Sequence, residues 1–337
     1  MKKFLAVLLA ALMLFAFAAC GGNNATDGNA TDGNASAGNA SALKAVTMGT
    51  GGTAGTYYAF GGILGNQIKA STGVTATVVS TDGSKANILG IDAGNFQLGT
   101  VQSDVMAYAY AGTGTFEAEG AIDSFRVIGG LYAEAVQLIT MDAEIKSVAD
   151  LAGKKVSIGA PGSGVYFNAV DVLGAAGLTE ADIVPQYQSF ADSADALKDG
   201  KIDAAFIVAG APTPAIQELT TSASAYLVPI DGDIADKLME ASPYYTAYTV
   251  PAGTYAGQEE DVTTVTVKAT LIVSASLAEE DVYNITKAIF DNVDAITAAH
   301  AKGAELSIEN ATSGMAAPFH TGAAKYFAEK GVEVEAK

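Results

Sequence analysis

The residues best placed to do chemistry lie in the stretch Met48 to Phe60, MGTGGTAGTYYAF. A short apolar run, Ala45 to Met48, reads as a strand. It stops on a turn holding Gly49, Gly51, Gly52 and Gly55, and Tyr57, Tyr58 and Phe60 then open a helical pattern through Ile63, Leu64 and Ile68. Glycine lets backbone approach a ligand closely, and the free N–H groups and dipole at a helix start favour negative charge. The chemistry implied is the seating of an anion. A dinucleotide loop is the competing reading, because Gly49, Gly51 and Ala54 fit G-x-G-x-x-A after a strand. Asp82 follows a second strand but stands 28 residues beyond Ala54, where about 20 is usual. No Gly-Lys-Ser/Thr follows, which excludes a phosphate loop of that type.

Three further stretches repeat the device. Gly83 and Ser84 sit in the turn Thr81–Ser84, where they could donate to a carboxylate or cap a helix. Gln102, Ser103 and Asp104 sit at a strand end; Asp104 could meet an ammonium group or cap its own helix. Pro161, Gly162, Ser163 and Gly164 follow the strand Lys155–Gly159. Gly51, Thr53, Thr56, Tyr57 and Tyr58 complete the candidate binding set. Arg126 is the single arginine; at the start of an apolar strand it reads as structural, and turned into a cleft it would clamp a carboxylate. No catalytic residue and no cofactor is expected. Ser163 lacks the G-x-S-x-G setting, with Pro161 in the first glycine position. His300 and His320 share no metal-ligand spacing, so no metal site is expected.

These residues must be held by alternating strands and helices. Strands are expected over Val74–Val79, Phe96–Val101, Arg126–Leu131, Ala135–Met141, Lys155–Gly159, Ile183–Ser189, Ile202–Ala209, Tyr226–Ile230 and Val262–Ser274. Helices are expected over Ala86–Ile91, Val105–Tyr110, Ile145–Leu151, Ala191–Lys198, Ile234–Glu240, Ala278–Ile296 and Gly322–Glu329, with others after Gly164 and from Pro212. In an open α/β sheet the carboxyl ends of strands border the ligand crevice. Two glycine loops far apart in the chain suggest two jaws.

Lys2 and Lys3 followed by the apolar run Phe4–Ala19 read as a signal peptide over 1–19. Cys20, the only cysteine, follows small residues as in a bacterial lipoprotein cleavage box and is the expected lipidation site. Residues 20–41, rich in Asn, Ala, Thr, Asp and Gly, read as a flexible tether. Lys2 and Lys3 aside, 16 basic residues face 37 acidic ones, a formal charge of −21. Such a surface repels nucleic acid and anionic lipid. The expected membrane link is the lipid anchor alone, and the expected location is extracytoplasmic.

The motif string resembles the solute receptors of tripartite ATP-independent periplasmic (TRAP) transporters of the TAXI, immunogenic-protein-like type. The residues that carry it are Gly49–Tyr58, Thr81–Ser84, Val101–Asp104, Ile145–Leu151, Ile158–Gly164, Ser189–Asp203 and Val250–Tyr255. The loop reads Thr53-Ala54-Gly55 where Thr-Gly-Gly is more usual, and Lys302–Met315 matches poorly. The resemblance implies an α/β, two-lobed periplasmic-binding-protein fold, type II-like, with a ligand cleft between the lobes. The lobes would be 42–137 plus 262–337, and 138–261. It also implies TRAP permease subunits as partners and a small carboxylate as ligand, a glutamate-like amino acid or a dicarboxylate. Two alternatives stand beside it: a dinucleotide-binding enzyme using the Gly49–Ala54 loop, and the receptor of an ATP-driven importer.

Overall fold

The computed structural model describes residues 43–337. The expected signal peptide, Cys20 and the whole tether lie outside the described residues. The strands are β1 (Ala45–Gly49), β2 (Thr75–Val79), β3 (Leu98–Gln102), β4 (Phe125–Thr140), β5 (Lys155–Ser157), β6 (Val184–Gln186), β7 (Ala204–Ala209), β8 (Tyr226–Val228), β9 (Thr246–Val250) and β10 (Val262–Ser274). They form one mixed sheet in the order β2-β1-β3-β10-β4-β7-β5-β6, with β8 on β4 and β9 on β10. This is the α/β periplasmic-binding-protein fold.

Two long strands make its spine. β10 runs antiparallel to β3 through Ala269–Val273 and to β9 through Val262–Thr266. β4 pairs with β10 at its start and with β7 over Ala135–Thr140. The hydrophobic core changes hands along both strands. One cluster holds Val46 to Tyr132 and Ala269 to Phe327, with Phe167 added. Two others take in Ala135, Val136 and the residues up to Val267. The pairing between β10 and β4 shifts register between Lys268 and Thr270 and between Leu271 and Ile272. Such irregularities increase local twist, and here they fall beside the place where one core gives way to the other.

The helices around the cavity are α1 (Thr56–Thr72), α2 (Ser84–Asp92), α4 (Val165–Ala175) and α5 (Phe190–Lys198), which start at it, with α3 (Ser103–Ala111) behind Gln102 and α6 (Pro214–Ser222) later in the chain. Helix α1 ends on Gly73 in the left-handed region (φ 78°), where glycine pays no Cβ penalty. Pro214 sits in the first turn of α6, where its missing N–H costs nothing.

Several expected elements differ. The two strands expected over 126–131 and 135–141 are one 16-residue strand, β4. Glu134, between the two expected strands, is buried within β4 and needs no loop. The region Pro243–Gln258, read as a connector, contains β9. The long helix expected to Ile296 is two helices, Glu279–Phe290 and Val293–Ala299. They part at Asp291, whose carboxylate is taken by Lys287, Lys330 and the Tyr326 hydroxyl. Ile145–Leu151 reduces to one short turn, Val148–Leu151, closed by a capping box between Ser147 and Asp150. Among the described residues, no helix is long and apolar enough to cross a membrane.

Candidate functional site

The starts of four helices border one cavity. α1 brings Gly51, Gly52, Gly55, Thr56 and Tyr57. The turn before α2 brings Thr81 to Ser84, the turn before α4 brings Ala160, Ser163, Gly164 and Val165, and α5 brings Gln188, Ser189 and Phe190. Gln102 at the end of β3, Glu134 from β4, and Val208 and Ala209 at the end of β7 complete the wall. About 70 Å3 is open to the centres of water molecules, within about 590 Å3 of empty space counted out to the mouth.

Local bonds hold these loops in place. Thr50 is anchored through its hydroxyl to Val79 O at 2.7 Å, and its carbonyl accepts from the Asn87 amide at 2.6 Å and the Thr81 hydroxyl at 2.9 Å. Asn87 also reaches Thr100 O at 2.8 Å, so β1, β2, β3 and α2 are tied at one point. Gly83, at φ 109°, occupies backbone space that a side-chain residue reaches only with strain. The Ser163 hydroxyl donates to Ala160 O at 2.7 Å and accepts from Tyr166 N at 3.3 Å, shaping the turn before α4. Ser189 caps α5 by accepting from Asp192 N at 3.2 Å.

The two sides of the cavity touch. Ala86 N donates to Gly162 O at 3.1 Å, Ala215 N to Ala54 O at 3.1 Å, and the Thr56 hydroxyl to Gly210 O at 3.0 Å. Tyr108 stacks on Phe167 with ring centres 5.9 Å apart. A buried polar chain spans the same gap. Gln102 Nε2 donates to Asn168 Oδ1 at 2.9 Å, and Asn168 Nδ2 donates to Asp104 Oδ2 and to the Tyr245 hydroxyl, both at 2.8 Å. The Tyr245 hydroxyl in turn donates to Asp171 Oδ2 at 2.8 Å. The direction of these bonds fixes the Gln102 carboxamide with its oxygen toward Gly164, and that oxygen has no partner. Gln188 Oε1 is likewise unpartnered.

Charge in the cavity is acidic or absent. None of the described residues lining it is lysine or arginine. Glu134 is 2% exposed, and the Tyr57 hydroxyl donates to its Oε2 at 2.6 Å. Burial pushes the Glu134 carboxyl up to about 8, against the opposing pull of that bond and of the Lys302 charge. Burial likewise pushes Asp104 up to about 7, helped by the nearby Asp171. The positive element is the helix starts, each acting like roughly half a charge.

Of the candidates read from sequence, Gly51, Thr56, Tyr57, Gly83, Ser84, Gln102, Ser163 and Gly164 line this cavity. The others do not. Thr53 is exposed, and Tyr58 is on the outer face of α1. The Ser103 hydroxyl accepts from Lys268 N, and Asp104 lies behind Gln102 within the buried chain. Pro161 is exposed, and Gly162 meets Asp82 and Ala86 across the gap. Gly49 lies within β1 with Asn87 and Phe96 packed against it, so the dinucleotide pattern does not form a turn at that residue. Arg126 is buried away from the cavity, held by Asp123 at 2.7 Å and by the carbonyls of Phe125 and Lys337. Sequence reasoning missed Glu134, Gln188, Phe190 and the bridging Asn168. A lone carboxylate in the middle of an apolar strand was the available signal for Glu134.

The family comparison corrects one expectation. Residues 48–331 match the NMT1-like family. The chain belongs to the NMT1-like family. The resemblance to TAXI-type receptors is therefore set aside, and with it the expected TRAP permease partner. Among solved structures, one from Bordetella bronchiseptica RB50 is similar at 17% identity, covering 84% of this chain and 88% of that one, with a TM-score of 0.51. The periplasmic aliphatic sulphonate binding protein SsuA from Escherichia coli shares 18% identity over 78% of this chain and 75% of that one, with a TM-score of 0.46. The ligand binding component of an ABC-type import system from Staphylococcus aureus shares 10% over 78% and 84%, with a TM-score of 0.48.

Proposed function

We propose that the protein is an extracytoplasmic solute receptor that closes on one small polar molecule and delivers it to an ATP-driven importer. The observation that carries this reading is the cavity itself. It is walled by loops from both cores and sealed by bonds across the gap, and two of its wall residues, Gln102 and Gln188, each keep a carboxamide oxygen without a partner. A buried polar atom without a partner costs roughly 1–3 kcal/mol, so a solute that satisfies Gln102 and Gln188 would repay that cost. The helix starts supply seats for a carboxylate end of the same solute.

Opening and closing would be a hinge motion of 42–137 plus 262–337 against 138–261, carried by β4 and β10. Processing at Cys20 would place the receptor on the membrane by a lipid, with the ATP-driven permease as its partner. The protein would act by binding, without turnover.

Calorimetry and solution scattering on the full chain test the reading together. A bound small solute should be recovered unchanged, and the particle should be more compact with solute than without. Binding at 100 times Kd should add about 2.7 kcal/mol of stability. Consumption of the solute would sink the receptor reading, as would an unchanged particle combined with no heat from amino acids, amines or carboxylates at millimolar concentration.

A further inference from the structure

We propose that Glu134 is the residue by which this cavity selects a solute bearing a protonated amine, and that arrival of the amine drives the proton off its carboxyl group. The proposal rests on the receptor reading and names the chemistry of its ligand. Glu134 projects from the spine strand β4 into the wall of the cavity, where it is almost fully withdrawn from water. Two other residues of the wall, Gln102 and Gln188, each hold a buried carboxamide oxygen without a partner. With Asp82 also in the wall and no basic side chain among the described lining residues, the side chains offer a solute mainly acceptors. An ammonium group supplies three donors and a positive charge, which answers that set.

The groups around Glu134 account for its proton. Tyr57 from α1 donates a hydrogen bond to it at 2.6 Å. Asp104 from α3 adds a repelling charge, and Lys302 from the short helix Ala301–Glu305 an attracting one. Lys302 is already paired with Glu305 at 2.6 Å, and Glu305 also accepts from Ala133 N. Tyr132 on the same strand is buried with its hydroxyl unpartnered. The sum leaves the empty site with a neutral carboxyl, pushed up to about 8 by burial. An ammonium placed beside it favours the ionised form. The Glu134 O–H bond breaks, the proton passes to the buffer, and the ammonium stays paired with the carboxylate. Without that charge the carboxyl keeps its proton. A site built to hydrogen-bond a polar group rejects the analogue that lacks it by large factors.

The test pairs each amine with its partner lacking the amine: L-glutamate with glutarate, L-alanine with propionate, and putrescine with 1-butanol. Titration calorimetry at pH 7 in buffers of differing ionisation enthalpy reads affinity and protons together. At least one amine should bind 100-fold or more tightly than its partner and release close to one proton per site. Infrared difference spectra should show a protonated carboxyl band lost on binding. Glu134→Gln keeps an acceptor for Tyr57, so it should fold, abolish the release and weaken the amine at least 30-fold. Equal affinity within every pair, or binding without proton release from the wild-type chain, overturns the proposal and leaves the receptor reading standing. Failure of every pair to bind overturns both.

Discussion

Gln102, at the end of β3, donates its side-chain amide to Asn168 of α4 at 2.9 Å, across the gap between the two cores. Asn168 then donates to Asp104 and Tyr245. One asparagine, fully buried, thus holds three groups from both sides of the cavity.

Removing it should loosen the closed form more than the fold. Asn168→Ala leaves the Gln102 amide and one Asp104 oxygen without partners, at a cost of roughly 2–6 kcal/mol if both stay buried. Hinge opening lets water reach both groups and offsets most of that. The expected result is a loss of about 1 kcal/mol in urea unfolding, with a larger particle in solution scattering and weaker solute binding. A loss near 4 kcal/mol with an unchanged particle would mean that the closed form is rigid.

The same chain predicts a pH dependence. Asp104 is raised to about 7 and Glu134 to about 8, both above their unfolded values. The folded state therefore holds more protons than the unfolded one in this window. Stability is fullest below about pH 4 for these two groups and is lost as pH rises through about 7 and then about 8, with a slope of up to about 1.4 kcal/mol per pH unit for each. Asp104→Asn should flatten the fall between about pH 5 and 7 and make the protein more stable than wild type at about pH 8. Chemical denaturation at several pH values reads this. A wild-type curve that rises with pH across that window contradicts it.

Much of the frame could be read from residue patterns, and the reason is local. Glycine turns after β-branched runs mark strand ends, and the four helix starts at the cavity follow such ends or short polar loops. Tyr57, Ser84, Gln102, Ser163 and Gly164 were found because they stand within one or two residues of these turns. Glu134 and Asn168 were not, because their role depends on burial opposite residues 77 positions or more than 60 positions away. No spacing within β4 or α4 announces such a meeting. The family was misread for a similar reason, because short glycine motifs are shared by receptors with different partners.

The proposed lipid on Cys20 gives a prediction independent of the cavity. Cys20 is the only thiol in the chain. Cys20→Ser should remove palmitate incorporation in labelled cells and leave solute binding by the released protein within twofold of wild type. Equal labelling of the two proteins would show that the lipid is not on Cys20.

Gly164 gives the sharpest test of closure. Its backbone, at φ −73° and ψ −23°, is ordinary for alanine, so Gly164→Ala should carry no conformational strain. In the closed form, however, the added Cβ would overlap the Gln102 carboxamide oxygen and press on the Ser84 hydroxyl oxygen at 2.8 Å. Gln102 cannot swing away without releasing Asn168. An opened hinge removes Gln102 and Ser84 from that space, because they stand on the other side of the cavity from α4. Gly164→Ala should therefore unfold within about 1 kcal/mol of wild type, since its fold is intact and only the small preference for glycine over alanine at a helix cap is lost. Its scattering profile should be that of the open particle with and without solute, and its affinity should fall at least 100-fold. Gly162→Ala is the control, because there the added carbon meets Asp82 Cβ at 3.1 Å, Ala86 Cβ at 3.3 Å and Asp82 Oδ2 at 3.4 Å, contacts that a few tenths of an ångström relieve. If Gly164→Ala closes on solute as tightly as wild type, the contact between Gln102 and Gly164 does not belong to the bound state.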